Sequence, residues 1–264
     1  MPDPDLKLSR AYELAEALNE EIERFLTENP ASIDSRRLEN DKVEVFLSVN
    51  KEIPVIFSLM LGEILHNARS ALDAAMYSLV ASRAKSRDLK IEEHRICYKI
   101  ENEPRKYFSD KKWHQNTLSL SEKRWLANYQ PFAFARGVPE EDRDTVRKRS
   151  PLARLRDLSN EDKHRQLKII LIELNLLAIY TEPGDKLLES QFSSPPWRDG
   201  DLVYSYVHLA SNPTQPIISA DFKVALDEDA TPMNVHGLMD VVSQILQHVR
   251  LTILEIRRIE QNTP

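Results

Sequence analysis

Two stretches of the sequence carry polar and ionisable residues at helical spacing. His66, Arg69, Ser70, Asp73 and Tyr77 recur along GEILHNARSALDAAMYSL, and Arg156, Asn160, Lys163 and His164 recur along RDLSNEDKHR. At roughly 100° per residue each set falls within about a third of its helix's circumference and draws one continuous stripe. A histidine that titrates near neutrality, a carboxylate to fix its tautomer and an arginine to hold an anion would suit phosphate-ester chemistry. Arg69 with Asp73, and His66 with Ser70, stand one turn apart and can pair. The second stripe projects three possible cations and an amide in one direction, which calls for an anion or carboxylates to neutralise it. His66, Arg69, Asp73, Arg156 and His164 are therefore the candidate catalytic groups. Ser70, Asn160, Lys163 and Arg165 are the candidate ligand contacts.

The same residues fit two plainer readings. The first stripe can be an internal ion pair beside a satisfied histidine. The second can be a surface helix with turn-spaced pairs such as Glu161 with Arg165. A metal site is not expected: His66, His164 and Asp73 are acceptable ligands, but their Arg and Lys neighbours oppose a dication. His236, Asp240 and His248 fall on the polar side of the last helix, where solvent is the expected partner. Cys97 lacks a nucleophile's surroundings and reads as a buried or incidental thiol. Trp113, Trp125 and Trp197 are scattered, which favours packing over stacking on bases.

Composition narrows the classes further. With 264 residues, 41% hydrophobic and 30% charged, the chain can bury a core without a cofactor or disulfide. A single cysteine and a start, MPDPDL, without the basic and apolar regions of a signal peptide point to a reducing cytoplasm. The apolar stretch from Ile169 to Tyr180 is interrupted by Glu173 and Asn175 and falls short of the roughly 20 residues that span a bilayer, so no membrane partner is expected. Only five glycines occur. There is no GxGxxG, no GxxxxGK[ST], no HExxH, no paired CxxC and no GxSxG, which removes the commonest dinucleotide, P-loop, zinc and serine-hydrolase readings. The net charge of −6 argues against indiscriminate nucleic-acid binding, yet Arg147 to Lys168 holds eight Lys or Arg against three acids. That segment could attract a polyanion, or be a solvated surface balanced by the acidic remainder.

The stripes need elements to hold them. Leu14, Leu18, Ile22, Phe25 and Leu26 predict a first helix over about 5–28, stopped by Asn29-Pro30. Val43, Val45, Leu47 and Val49 alternate as a strand. A long helix over about 54–85 buries Phe57, Leu61, Ile64, Leu65, Ala68, Leu72, Ala75 and Leu79. A short strand at Arg95 to Ile100 and a short helix at Ser121 to Tyr129 follow. Pro151 opens a helix over 151–167, with Leu152, Leu155 and Leu158 inward. Apolar runs between turn clusters then predict a sheet, mainly over 168–228, with meander-type antiparallel connections. Thr231 and Pro232 read as the start of a last helix over 232–260. The fold class expected is α+β, a long-helix bundle packed with an antiparallel β-sheet, as a single domain over 1–264.

The segments LGEILHNARSALDAAMYSLV and LSNEDKHRQL resemble an uncharacterised bacterial family that joins an HNxRSALD helix to a later DKHR helix. More distantly, the helical part is similar to HEPN domains, the helical bundles of many toxin and antiviral ribonucleases, which carry an Arg followed by four to six residues and then His. The resemblance implies a nucleic-acid- or nucleotide-related protein, and by extension a metal-independent ribonuclease of a toxin or defence system. In that picture Arg69 or Arg156 grips the scissile phosphate of RNA, His164 or His66 moves the proton, and two copies pair as a homodimer. The sequence departs from the motif at both places: Ala74 stands where a histidine would follow Arg69, and seven residues separate Arg156 from His164. The alternative is a non-catalytic helical binding or protein-interaction module with a structural polar network.

Overall fold

The helix expected at the start of the chain runs from Pro4 to Thr27 (α1) and ends as the Asn-Pro stop requires, with Asn29 in the left-handed region at φ 51°. The computed structural model describes residues 3–38, 41–109, 117–162, 167, 169–180, 186–193, 199–209, 217–226 and 237–261. Its elements are those of an α+β protein. After α1 come β1 (Ala31–Arg37), β2 (Lys42–Val49) and α2 (Val55–Ser86). A 3-10 turn at Glu93–Arg95 precedes α3 (Pro104–Ser109), α4 (Leu120–Ala127), α5 (Pro131–Phe134), α6 (Glu140–Lys148) and α7 (Pro151–Asp162). The strands β3 (Ile169–Tyr180), β4 (Lys186–Phe192), β5 (Leu202–Leu209) and β6 (Ile217–Leu226) lead to α8 (Leu238–Gln261). No helix among the described residues is long and apolar enough to cross a membrane.

Contacts divide the chain into two compact units: Met1–Ala17, Leu59–Leu167 and Val241–Pro264 form the first, and Leu18–Ser58 and Lys168–Asp240 the second. In the first, every inward residue expected within its part of α2, from Leu61 to Leu79, is buried, as are Leu152, Leu155 and Leu158 of α7 and Val242 to Ile256 of the apolar stripe on α8. Burial of such faces supplies most of the stability of helices this long. The ends are tied by a buried cation. Arg83 donates from Nε to Glu122 Oε1 at 2.7 Å and from Nη2 to the Ile259 carbonyl at 2.6 Å, so a cation binds the last turn of α8, where the helix dipole favours it. Glu122 in turn completes a capping box with Ser119 at the start of α4.

His248 of α8 differs from expectation. It is not a solvated residue: it lies against the rings of Tyr129 and Phe134 and its Nε2 stands 3.2 Å from the Tyr129 carbonyl, which can only accept, so Nε2 carries the proton. Burial pulls its pKa below the ordinary value, and the bond to Tyr129 only partly opposes this. The native state thus resists protonation while the unfolded chain takes up a proton near pH 6.5. Stability is expected to fall as pH drops from about 6.5 towards the lowered native value. Urea midpoints measured across that range should show the slope, and His248→Asn should flatten it.

The second unit is built on two antiparallel sheets, one of four strands in the order β1-β2-β5-β4 and one of β3 with β6. Of the antiparallel meander expected from the sequence, the β4–β5 neighbour pair is present, while the other pairings of this region run over longer range. Val43 and Val45 of β2 pack with Tyr204 and Tyr206 of β5, so β5 sits between β2 and β4, and β3 pairs with β6 instead of β4. Gly200, at φ 79°, and Asp201 carry the chain into β5, with Gly200 N–H donating to the Leu47 carbonyl and Leu47 N–H to that of Asp201. β1 has no counterpart in the sequence reading. The last helix is described from Leu238, with Asp240 accepting from Gly237 N–H at 3.1 Å, whereas the expected start at Thr231-Pro232, like His236, lies outside the described residues.

The segment expected as a strand at Arg95 to Ile100 is not one. Ile96, Tyr98 and Ile100 are buried and alternate with more exposed neighbours, so the extended period is real, but no strand among the described residues pairs with it. Side chains take the place of a ladder.

Candidate functional site

The first stripe lies along this extended strap. Tyr77 bonds to Glu93 at the strap's entry, and the Glu93 carboxylate pushes the Tyr77 hydroxyl above its ordinary pKa. Asp73 Oδ1 accepts from Tyr98 N–H at 2.8 Å and Arg69 Nη2 donates to the Tyr98 carbonyl at 2.6 Å, while the two side chains pair at 3.4 Å. One acid and one base, a turn apart on α2, thus hold both polar backbone groups of a single residue. Such groups must be paired when removed from water, and here charged partners supply the bonds that a neighbouring strand would.

The second stripe meets the same strap further along. Arg156 Nη1 reaches the Ile100 carbonyl at 3.4 Å and Asn102 Oδ1 at 3.3 Å, and its other nitrogens form a two-point pair with Asp157. Gln130 closes the set. It is fully buried and donates to the Tyr98 hydroxyl at 3.1 Å and the Lys99 carbonyl at 2.9 Å, while its Oε1 accepts from Glu101 N–H at 2.9 Å. Burial pushes the Tyr98 hydroxyl well above its ordinary pKa, so it stays protonated. The sequence reading missed Gln130 because one amide in NYQPF carries no periodic signal.

The two helices also approach directly. Gly62 of α2 is buried against α7, and a Cβ built on it would fall 2.5 Å from Asp162 Oδ1. The glycine leaves room for the Asp162 carboxylate against α2, one turn from His66. His66 itself is exposed, with Ser70 Oγ 3.5 Å from its Nε2, and Asn160 is exposed on α7. Lys163, His164 and Arg165 lie outside the described residues. The structure therefore brings Arg69, Asp73 and Arg156 together on one strap and leaves His66 and Asn160 facing solvent.

Among its described residues the basic segment is not one continuous patch. Lys148 is paired with Asp144 at 2.8 Å, Arg156 is engaged as above, and Arg154 is buried. What the arrangement does chemically is hold backbone: the arginines that could grip a phosphate already donate to carbonyls. Comparison with protein-family models, with curated proteins and with solved structures finds no match to this chain.

Proposed function

We propose that the chain is a non-catalytic helical binding module of the cytoplasm, related to nucleic acid or nucleotide, in which the polar stripes form a structural network. The observation that carries this reading is the Arg69–Asp73 clamp on both backbone groups of Tyr98. A group committed to a main-chain amide inside the fold is spent on positioning and is not free to bind or turn over a phosphate. Asp73→Ala leaves the Tyr98 N–H without its acceptor, at a cost of about 1–3 kcal/mol. The urea midpoint should fall accordingly while RNA incubated with the protein in EDTA stays intact. Unchanged unfolding in the variant would remove the structural role.

A second reading keeps one specific support. His66 stays exposed, with half-buried Ser70 beside it, one turn along α2 from where Asp162 at the end of α7 approaches, which suits a HEPN-like, metal-independent ribonuclease of a toxin or defence system working as a homodimer. His66 or His164 would take the proton as a 2′-hydroxyl attacks the phosphate. Cleavage in EDTA that His66→Ala or His164→Ala abolishes would establish it in place of the first.

A further inference from the structure

The first unit carries an open cleft of about 510 Å³ that lies apart from the strap's clamp, and its lining combines two exposed aromatic rings with two arginines. Phe108 and Trp125 are 45% and 46% exposed, although rings of this size contribute most when buried. Phe132 beneath them is buried and stacks edge-on with Tyr107 at 5.6 Å, and Tyr107 holds Phe108 in the same way at 5.0 Å. Phe108 and Phe132 are therefore both held by Tyr107. Arg124 and Arg136 are exposed on the same lining, with Arg136 oriented by Asn128 Oδ1 at 3.0 Å. Arg258 lies 4.9 Å from the Trp125 ring centroid and is itself largely exposed. No carboxylate lines the cleft among the described residues.

We propose that this cleft binds single-stranded nucleic acid, with bases stacking on Phe108 and Trp125 and phosphates facing Arg124, Arg136 and Arg258. The inference rests on reading the chain as a binding module and names its ligand and its place. Exposed π-faces accept any unpaired base, whereas bases inside a duplex keep their faces stacked on each other. Arginines interleaved with the rings supply the charge that the backbone needs, on a chain whose net charge is −6. An apolar peptide would use the rings but leave the Arg124 and Arg136 charges on the lining unanswered, while Arg258 already pairs with Glu255 at 3.5 Å. The sequence reading set Trp125 aside as packing, because KRWLANYQPFAFAR does not show which aromatic faces outward.

The test is fluorescence anisotropy with labelled 12-nucleotide single strands, RNA and DNA, at about 50 mM salt, against a duplex of the same sequence and a free mononucleotide. Both single strands should bind, and the duplex and mononucleotide should bind far more weakly. Trp125→Ala should weaken strand binding by at least about fivefold, and Trp125→Phe should recover much of it. Each of Arg124→Ala and Arg136→Ala should lower the salt-dependence slope by about 0.7. These positions are exposed, so unfolding midpoints should stay at the parent's value. Absence of strand binding, a preference for duplex, or strand binding unaffected by all three variants would overturn the proposal. The last outcome leaves the binding-module reading standing, whereas RNA cleavage in EDTA overturns the non-catalytic reading and leaves the cleft to be judged by its own variants.

Discussion

Arg83→Ala is expected to cost about 3–5 kcal/mol, the loss typical of breaking a buried ion pair by removing one partner. Arg83 and Glu122 are 5% exposed each, and the variant leaves the Glu122 carboxylate buried without its cation. Burial alone would raise the carboxyl's pKa, but the bond from Arg83 and those from Ser119 together hold it below the usual carboxylate range, so the pair is charged at neutral pH. The same change removes the Arg83 bond to the Ile259 carbonyl in the last turn of α8. Urea unfolding should therefore show a large drop in midpoint. Glu122→Ala should lose about as much, because it strands the guanidinium and also breaks the capping box. The double variant Arg83→Met with Glu122→Leu should lose much less than either, since an apolar pair leaves no unpaired charge. A double variant as unstable as the two single ones added together would show that the pair is not coupled.

That pair was invisible in the sequence for the same reason that the strap was misread. Helical periodicity reports which face of α2 is inward, and Leu61, Ile64, Leu65, Ala68, Leu72, Ala75 and Leu79 are all buried as it requires. It says nothing about what meets the other face. Arg69, Asp73 and Tyr77 were legible as a stripe, but Arg69 and Asp73 find their partners in the backbone of Tyr98, 29 and 25 residues further along the chain, and main-chain groups leave no mark on composition. Ile96, Tyr98 and Ile100 carry the alternation of a strand because extended backbone sets that period whether or not a neighbouring strand exists. β1 shows the converse case. ASIDSRR has no run of inward apolar residues, because it is an edge strand whose pairing with β2 runs through backbone bonds along its whole length. Strand partners in the second unit were hidden for a related reason: alternation fixes a strand's faces but not which distant strand completes them.

Tyr98→Ala is expected to cost about 3–5 kcal/mol, the loss typical of a large aromatic removed from a core. The residue is fully buried and lies at the centre of the strap, between the Arg69–Asp73 clamp on its backbone and Gln130 on its hydroxyl. Tyr98→Phe separates the two contributions. It keeps the ring and removes only the hydroxyl that accepts from Gln130, whose Nε2 retains the Lys99 carbonyl as partner. Its cost should be about 0.5–1.5 kcal/mol. Hydrogen exchange supplies a readout that global unfolding does not: the Tyr98 and Glu101 amides, bonded to Asp73 and Gln130, should be protected in the parent and in Tyr98→Phe. In Tyr98→Ala both should exchange fast while amides within α2 remain protected, since the strap can open without the helix. Equal loss of protection in α2 would mean that strap and helix open as one cooperative unit, and then the polar stripe would stabilise the whole helical unit and not one segment laid across it.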